Sequence, residues 1–164
     1  VEKSAVCAVA TKPGQWKGIL KWLSEIIEHN DCFITFASVH PDDENPAEVM
    51  AAIKSAGVKA IKLHPIHQNF MMDEPRMDAI YLAARDAGII VAFHCGYDIG
   101  HIDSDPHRMA GPERLAKVVE KFRGMKILAT HMGGFLMWDY VEKYLVGSDV
   151  WFERRFLYSQ VTAA

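Results

Sequence analysis

Long apolar runs are missing from this sequence. No stretch approaches the ~20 residues that a membrane-spanning helix needs, and the chain does not open on a charged segment followed by an oily stretch and a small-residue cleavage site. It is therefore expected to be cytoplasmic, with no membrane partner. Cysteine is scarce: Cys7, Cys32 and Cys95 are odd in number and lack paired spacing, which excludes a disulfide framework or a zinc knuckle. Cys7 and Cys32 read as buried thiols. Positive charge is in deficit, 18 Lys and Arg against 21 Asp and Glu, so no surface selects phosphate backbones, and nucleic acid is excluded as a partner. No Gly-rich phosphate loop follows the first apolar run, which argues against an open flavodoxin-like sheet. Serine/glycine linkers and low-complexity tracts are absent as well, so residues 1–164 read as one domain, with enough apolar residues (50%) for a real core.

What is present alternates. "SAVCAVAT", "CFITFASVHP", "VKAIKLHP", "IIVAFHCG", "KILATHMGG" and "DVWFERRF" are short apolar runs, and between them apolar residues recur at helical spacing. Trp16, Ile19, Leu20, Leu23, Ile26 and Ile27 mark the first helix. The next starts at Pro46, carries Val49, Met50 and Ile53 and ends at Gly57. Another opens at Pro75 and closes at Gly88. A fourth starts at Pro112, bears Leu115, Val118, Val119 and Phe122, and stops before Gly124; "FLMWDYVEKYLVG" is the last. Proline in front of helices and glycine behind them is the asymmetry that helix ends demand. Strand and helix in alternation mean parallel pairing through right-handed crossovers, hence an α/β fold. The tail "LYSQVTAA" has no placement.

Four of these strands end on histidine: His40, His64, His94 and His131. Parallel strands share one direction, so the four rings emerge at the carboxyl edge, where barrels and doubly wound sheets bind ligands. Alternation puts Ala92 on the face of His94 and Ala129 on the face of His131, with Val91, Phe93 and Leu128 turned toward covering helices. Small residues beneath the rings suit a barrel interior with a site at its mouth. Lys62 shares the face of His64, and an inward lysine is costly unless paired or chemically altered. Neutral imidazoles from separate strands can converge on zinc or a similar ion. Taken singly, each ring reads as a structural cap on strand-end carbonyls. Taken together, His94 and His131 read as metal ligands, with Gly96 and Gly133 letting a substrate approach the backbone; His40 and His64, each before a proline, stay open between structure and site.

The remaining polar residues have plainer readings. His29, His67, His101 and His107 are placed as solvent or substrate-loop residues. Asp98, Asp103 and Asp105 could bind a cation, but a solvated loop explains them. The helix dipole accounts for Glu48 and Glu113. Trp16, Trp22 and Met50 read as core or interface, and Phe70, Met71 and Met72 as a loop anchor rather than a pocket lining.

The stretch "GVKAIKLHPIHQNFMMDEPRMDAIYLAARDAGIIVAFHCGYDIG", with "PERLAKVVEKFRGMKILATHMGG" and "MWDYVEKYLVG" after it, resembles the amidohydrolase-related (amidohydrolase 2) family of metal-dependent hydrolases, the branch that includes nonoxidative decarboxylases. The resemblance implies a (β/α)8 TIM barrel with a metal centre at its carboxyl face, present as an incomplete barrel of about strands two to seven. It implies that His94 and His131 are metal ligands, that Lys62 is a candidate carboxylated, metal-bridging residue, and that His64 either supports the ligands from behind or faces the substrate; His40 is read beside it as a candidate substrate-binding residue. The family's His-x-His pair on the first strand and its aspartate on the eighth have no counterpart here, and "GSDVW" precedes the seventh strand, so Asp149 is not assigned as that aspartate. A whole barrel takes about 250 residues. The expectation is thus a piece of a longer protein, or an assembly in which a homo-oligomeric partner closes exposed sheet edges.

Function follows as expectation. The first is an enzyme: a hydrolase acting on a small carboxylate, amide or lactone through metal-activated water, or a carbon-carbon lyase, with zinc as the ion and manganese or iron as alternatives. The general-base aspartate is missing, which implies impaired activity in this chain alone. The second is a non-catalytic α/β subunit that binds a small ligand or pairs with another chain.

Overall fold

The computed structural model describes residues 3–101 and 103–153. Six strands, β1 (Ser4–Cys7), β2 (Phe33–Ala37), β3 (Ala60–Leu63), β4 (Ile90–Phe93), β5 (Ile127–Ala129) and β6 (Trp151–Phe152), form one sheet in chain order, each parallel to the next. The connections hold α1 (Trp16–His29), α2 (Pro46–Ser55), α3 (Pro65–Gln68), α4 (Asp78–Ala87), α5 (Pro106–Met109), α6 (Pro112–Lys121) and α7 (Trp138–Tyr144). Because the order never reverses, right-handed crossovers keep the covering helices on one face. A flavodoxin-like sheet reverses at a switch point and is covered on both faces. The present order is that of a barrel wall, left open at β1 and β6.

Two apolar clusters show the two faces. On the helix side, Ile61, Leu63, Val91, Phe93, Ile127 and Ala129 pack in one core with Leu23, Ile53, Tyr81 and Val118 from α1, α2, α4 and α6. On the inner side lies a small cluster of Phe36, Ala60 and Ala92, with Ile90 and Leu128 against it. The sequence reading is corrected on β5: Leu128 points inward and Ala129 outward, because His131 and Met132 both adopt φ 56° and so break the alternation counted back from the histidine.

The helices begin and end largely where proline and glycine set them. Pro46 and Pro112 occupy the first turns of α2 and α6, and Gly88, at φ 72°, terminates α4. The helix expected from Pro75 begins as a 3-10 turn (Pro75–Met77) before α4. Tyr81 of α4 is fully buried; its ring meets Phe93 and Phe122 edge-on and its hydroxyl donates to the Met72 carbonyl at 2.8 Å. Phe70 and Met72 are buried in this core, as a loop anchor requires, and Trp22 is exposed.

Cys7 and Cys32 are exposed rather than buried, while Cys95 is buried. Cys7 lies level with Phe36 on the inner face at the open β1 edge, which explains its exposure. The same face leaves Ile34 50% and Trp151 54% exposed. The last strand is only two residues long, and the expected continuation to residue 156, with the tail, lies outside the described residues. Among the described residues no helix is long and apolar enough to cross a membrane.

Candidate metal centre

The strand ends bring imidazoles from β3, β4 and β5 together. His64 and His94 stack with centroids 4.0 Å apart, and His94 meets His131 edge-on at 4.7 Å, with His131 Nε2 3.1 Å from His94 Nδ1. His94 Nε2 and His64 Nε2 are both buried without a hydrogen-bond partner among the described residues. His131 reaches this position through its left-handed backbone, a conformation costing about 1–3 kcal/mol in a non-glycine residue. Its turn is held by Met132 N–H donating to the Glu153 carbonyl at 3.0 Å, by Gly133 N–H donating to the Thr130 carbonyl at 3.1 Å, and by the Glu153 carboxylate accepting from His131 N–H at 3.3 Å.

Beneath the rings, Lys62 is buried on the inner face level with Ala92. Its ammonium or amine nitrogen donates to Thr130 Oγ1 at 2.9 Å, and Thr130 donates onward to the Phe93 carbonyl at 2.7 Å. Burial pushes the lysine pKa down, against the opposing pull of Cys7, Cys95 and Glu153. Thr130 was hidden in the sequence by the same parity error that placed Ala129 inward.

The other expected residues sit differently. His40 is buried but engages its own turn: its N–H donates to Asp43 at 2.8 Å and its Nδ1 accepts from Asp42 N–H at 3.1 Å. The space that glycine leaves at position 96 is filled by the backbone of Phe135, and at position 133 by the ring of Phe152. His107 pairs with Glu113 at 2.7 Å. Asp103 and Asp105 are exposed, as a solvated loop predicts.

Asp98 is not solvated. It is 5% exposed, with its Oδ2 2.8 Å from His67 Nε2, 3.1 Å from His101 Nδ1 and 3.8 Å from His64 Nε2, while Oδ1 accepts from Gly100 N–H. Burial would raise its pKa, but the Gly100 N–H and the His67 and His101 rings outweigh it and hold the carboxyl below its usual range. The signal for His67 was present in "HPIH": three residues apart on a helical turn, His64 and His67 share a face. Gln68, also unread in the sequence, is 2% exposed and bonds the backbone after three strands.

Burial, with the neighbouring Lys62 and His131, pushes His94 down to about 3; burial and Lys62 push His131 to about 4; and His64, buried against His94, His67 and Lys62, is lowered furthest. All three are neutral at pH 7, the state a cation needs. The unfolded chain takes protons below about pH 6.5 that the folded chain refuses, so stability is intact above that value and declines toward pH 4 and then 3. In chelator-treated protein, the urea midpoint is expected to fall steadily from pH 7 to pH 4.5. A flat profile over that range would contradict the buried, neutral state of these rings.

A parallel sheet in chain order, with imidazoles gathered at its carboxyl edge, defines an incomplete TIM barrel with a polar mouth. The chain belongs to the amidohydrolase family, whose model, described as "Amidohydrolase", matches residues 7–163. Solved structures share the fold. A 5-carboxyvanillate decarboxylase of Novosphingobium aromaticivorans, with bound manganese and 3-methoxy-4-hydroxy-5-nitrobenzoic acid, aligns at 16% identity and TM-score 0.64 over 81% of this chain and 47% of that one. An uncharacterised TIM-barrel protein of Bordetella bronchiseptica aligns at 15% identity and TM-score 0.55 over 81% and 47%. A dihydroorotase of Campylobacter jejuni aligns at 13% identity and TM-score 0.53 over 83% and 40%. The chain thus covers less than half the length of each. No curated protein matches the sequence.

Proposed function

We propose that this chain carries part of a divalent-metal centre of an amidohydrolase-type enzyme acting on a small carboxylate, amide or lactone, with His94 and His131 as ligands. The observation that carries the reading is the 3.1 Å approach of His131 Nε2 to His94 Nδ1, with the second nitrogen of His94 buried and without a partner. A hydrogen bond between the rings holds two imidazoles from separate strands at about the spacing of neighbouring metal ligands, and a buried nitrogen without a partner among the described residues is costly. The donor set fits the group. Imidazole suits zinc first, with iron and manganese as alternatives, and manganese is the ion held by the decarboxylase neighbour.

When bound, a divalent cation supplies Lewis acidity and makes hydroxide available near neutral pH. The rest is done by the chain. Lys62, whose pKa burial lowers and whose nitrogen is held by Thr130, is the candidate for carboxylation and a third ligand. His64, stacked on His94, buttresses that ring from the end of β3. Phe36, Ala60 and Ala92 form a small buried apolar cluster on the inner face below the site. The remaining ligands come from outside the described residues, supplied either by a longer chain or by a second copy at the open edges of β1 and β6.

Decarboxylation of a small aromatic acid is the second reading, suggested by the 5-carboxyvanillate decarboxylase among the solved structures that share the fold. Metal content by mass spectrometry tests the shared core of both. His94→Ala and His131→Ala are each expected to lower the retained divalent ion by about one equivalent per chain, in keeping with loss of a direct ligand. Unchanged content in both folded variants removes the proposal.

A further inference from the structure

His64, His67 and Asp98 offer one ligand atom each, all within 4.8 Å of one another, and none of these atoms belongs to the His94–His131 pair. We propose that they form a second divalent-cation site, distinct from the first, which clips the segment after β3 to the segment after β4. Three observations carry it. His64 is 1% exposed, and its Nε2 faces Asp98 Oδ2 at 3.8 Å with no hydrogen-bond partner among the described residues. Asp98 is 5% exposed, an expensive place for a carboxylate whose Oδ2 is surrounded only by imidazoles. His67 Nε2 and Asp98 Oδ2 are hydrogen-bonded at 2.8 Å, so a separation of roughly half an ångström brings them to the ~3.4 Å spacing of neighbouring tetrahedral ligands with bonds of about 2.0–2.2 Å.

Two imidazoles and a carboxylate suit zinc, ferrous iron or cobalt, and three protein ligands leave a position open for water or a substrate oxygen. The ion replaces the proton between His67 Nε2 and Asp98 Oδ2, and that proton moves to Nδ1 of the same ring. His64 makes the same shift from Nε2 to Nδ1 and gives up the long 3.4 Å contact from the His67 N–H. Asp98 keeps its Oδ1 bond from Gly100 N–H at 2.9 Å, so the carboxylate is already oriented before an ion arrives. His101 Nδ1, 3.1 Å from Asp98 Oδ2 and half exposed, is placed as a supporting donor to the carboxylate. The consequence is mechanical as well as chemical. A cation here ties α3 to the 3-10 turn Ile99–His101 across the mouth, next to the stacked His64–His94 pair.

Cobalt(II) is the probe, followed by equilibrium dialysis with metal analysis and by its visible absorption. In the full chain carrying His94→Ala and His131→Ala, about one cobalt is expected to remain, and adding His67→Gln or Asp98→Asn is expected to weaken its binding at least about tenfold. Should the double variant prove unfolded by circular dichroism, the same two substitutions in the native chain are expected to lower bound cobalt from two to one. Retention of no ion by a folded double variant, or cobalt binding indifferent to His67→Gln and Asp98→Asn, overturns the site and leaves a hydrogen-bonded imidazole–carboxylate cluster only. Failure of the first centre is read separately, from metal content unchanged by His94→Ala and His131→Ala alone.

Discussion

Gly96→Ala is expected to destabilise the protein by about 4 kcal/mol or more, at the extreme end of single-substitution effects. A Cβ built there lies 2.2 Å from the Phe135 nitrogen and 2.5 Å from its carbonyl oxygen, and φ is +87°. Neither obstacle can be relieved by a rotamer, since the opposing atoms are backbone. They belong to a short parallel pairing in which Phe135 N–H donates to the Cys95 carbonyl at 3.0 Å and Tyr97 N–H donates to the Phe135 carbonyl at 3.1 Å. That pairing fixes the peptides just after His94 and just before the last helix, so its loss also unsettles the imidazole cluster. Gly88→Ala is the matched control. It has a similar φ of +72° but open space around it, so only the conformational cost of about 1–2 kcal/mol applies. Urea unfolding of the two variants side by side measures the difference, and equal midpoints would mean that Phe135 does not approach Gly96 as described.

Gln68→Leu is expected to cost about 4 kcal/mol, although it exchanges one buried side chain for another of similar size. The Gln68 amide satisfies three buried backbone groups at once. Its Nε2 donates to the carbonyls of Ala10 at 2.8 Å and Val39 at 2.9 Å, and its Oε1 accepts from His64 N–H at 2.8 Å. Those residues follow β1, β2 and β3, and each is at most 1% exposed, so water cannot replace the amide. Leaving a buried polar group unpaired costs about 1–3 kcal/mol, and three are stranded together. Gln68→Glu keeps the acceptor and loses both donations, and it is expected to be destabilising as well, because a carboxylate would face two carbonyl oxygens. Thermal and urea unfolding read the loss, and amide exchange at His64 reports whether the strand end loosens. A cost below about 1 kcal/mol for Gln68→Leu would show that the three groups find other partners.

Much of the architecture was legible because its signals are local. Pro46, Pro112 and Gly88 act on their own backbone, and the apolar runs ending in His64 and His94 carry their direction and face with them. The barrel order follows once every strand is parallel and no phosphate loop marks a switch point. What escaped depends on distant atoms. The inward turn of His131 needs Glu153 to hold a left-handed pair of residues, and no periodicity encodes that contact. Asp98 looks like any aspartate in a loop rich in glycine and aspartate, and it is buried only because rings from positions 64, 67 and 101 close around it. Gln68 differs in no local way from a surface glutamine. Cys7 misled for the opposite reason: its apolar neighbours predict burial, and the open inner face denies it.

The strictly consecutive pairing of β1 through β6 has a bearing on how the chain is made. Each strand finds its template in the strand synthesised just before it, and none waits for a later segment to be inserted between neighbours. Such a sheet can lengthen on the ribosome one strand–helix unit at a time, since the loop to be closed at each addition stays short. The emerging polypeptide would therefore assemble the imidazole edge in the order His64, His94, His131, with the ring that needs the most distant support arriving last.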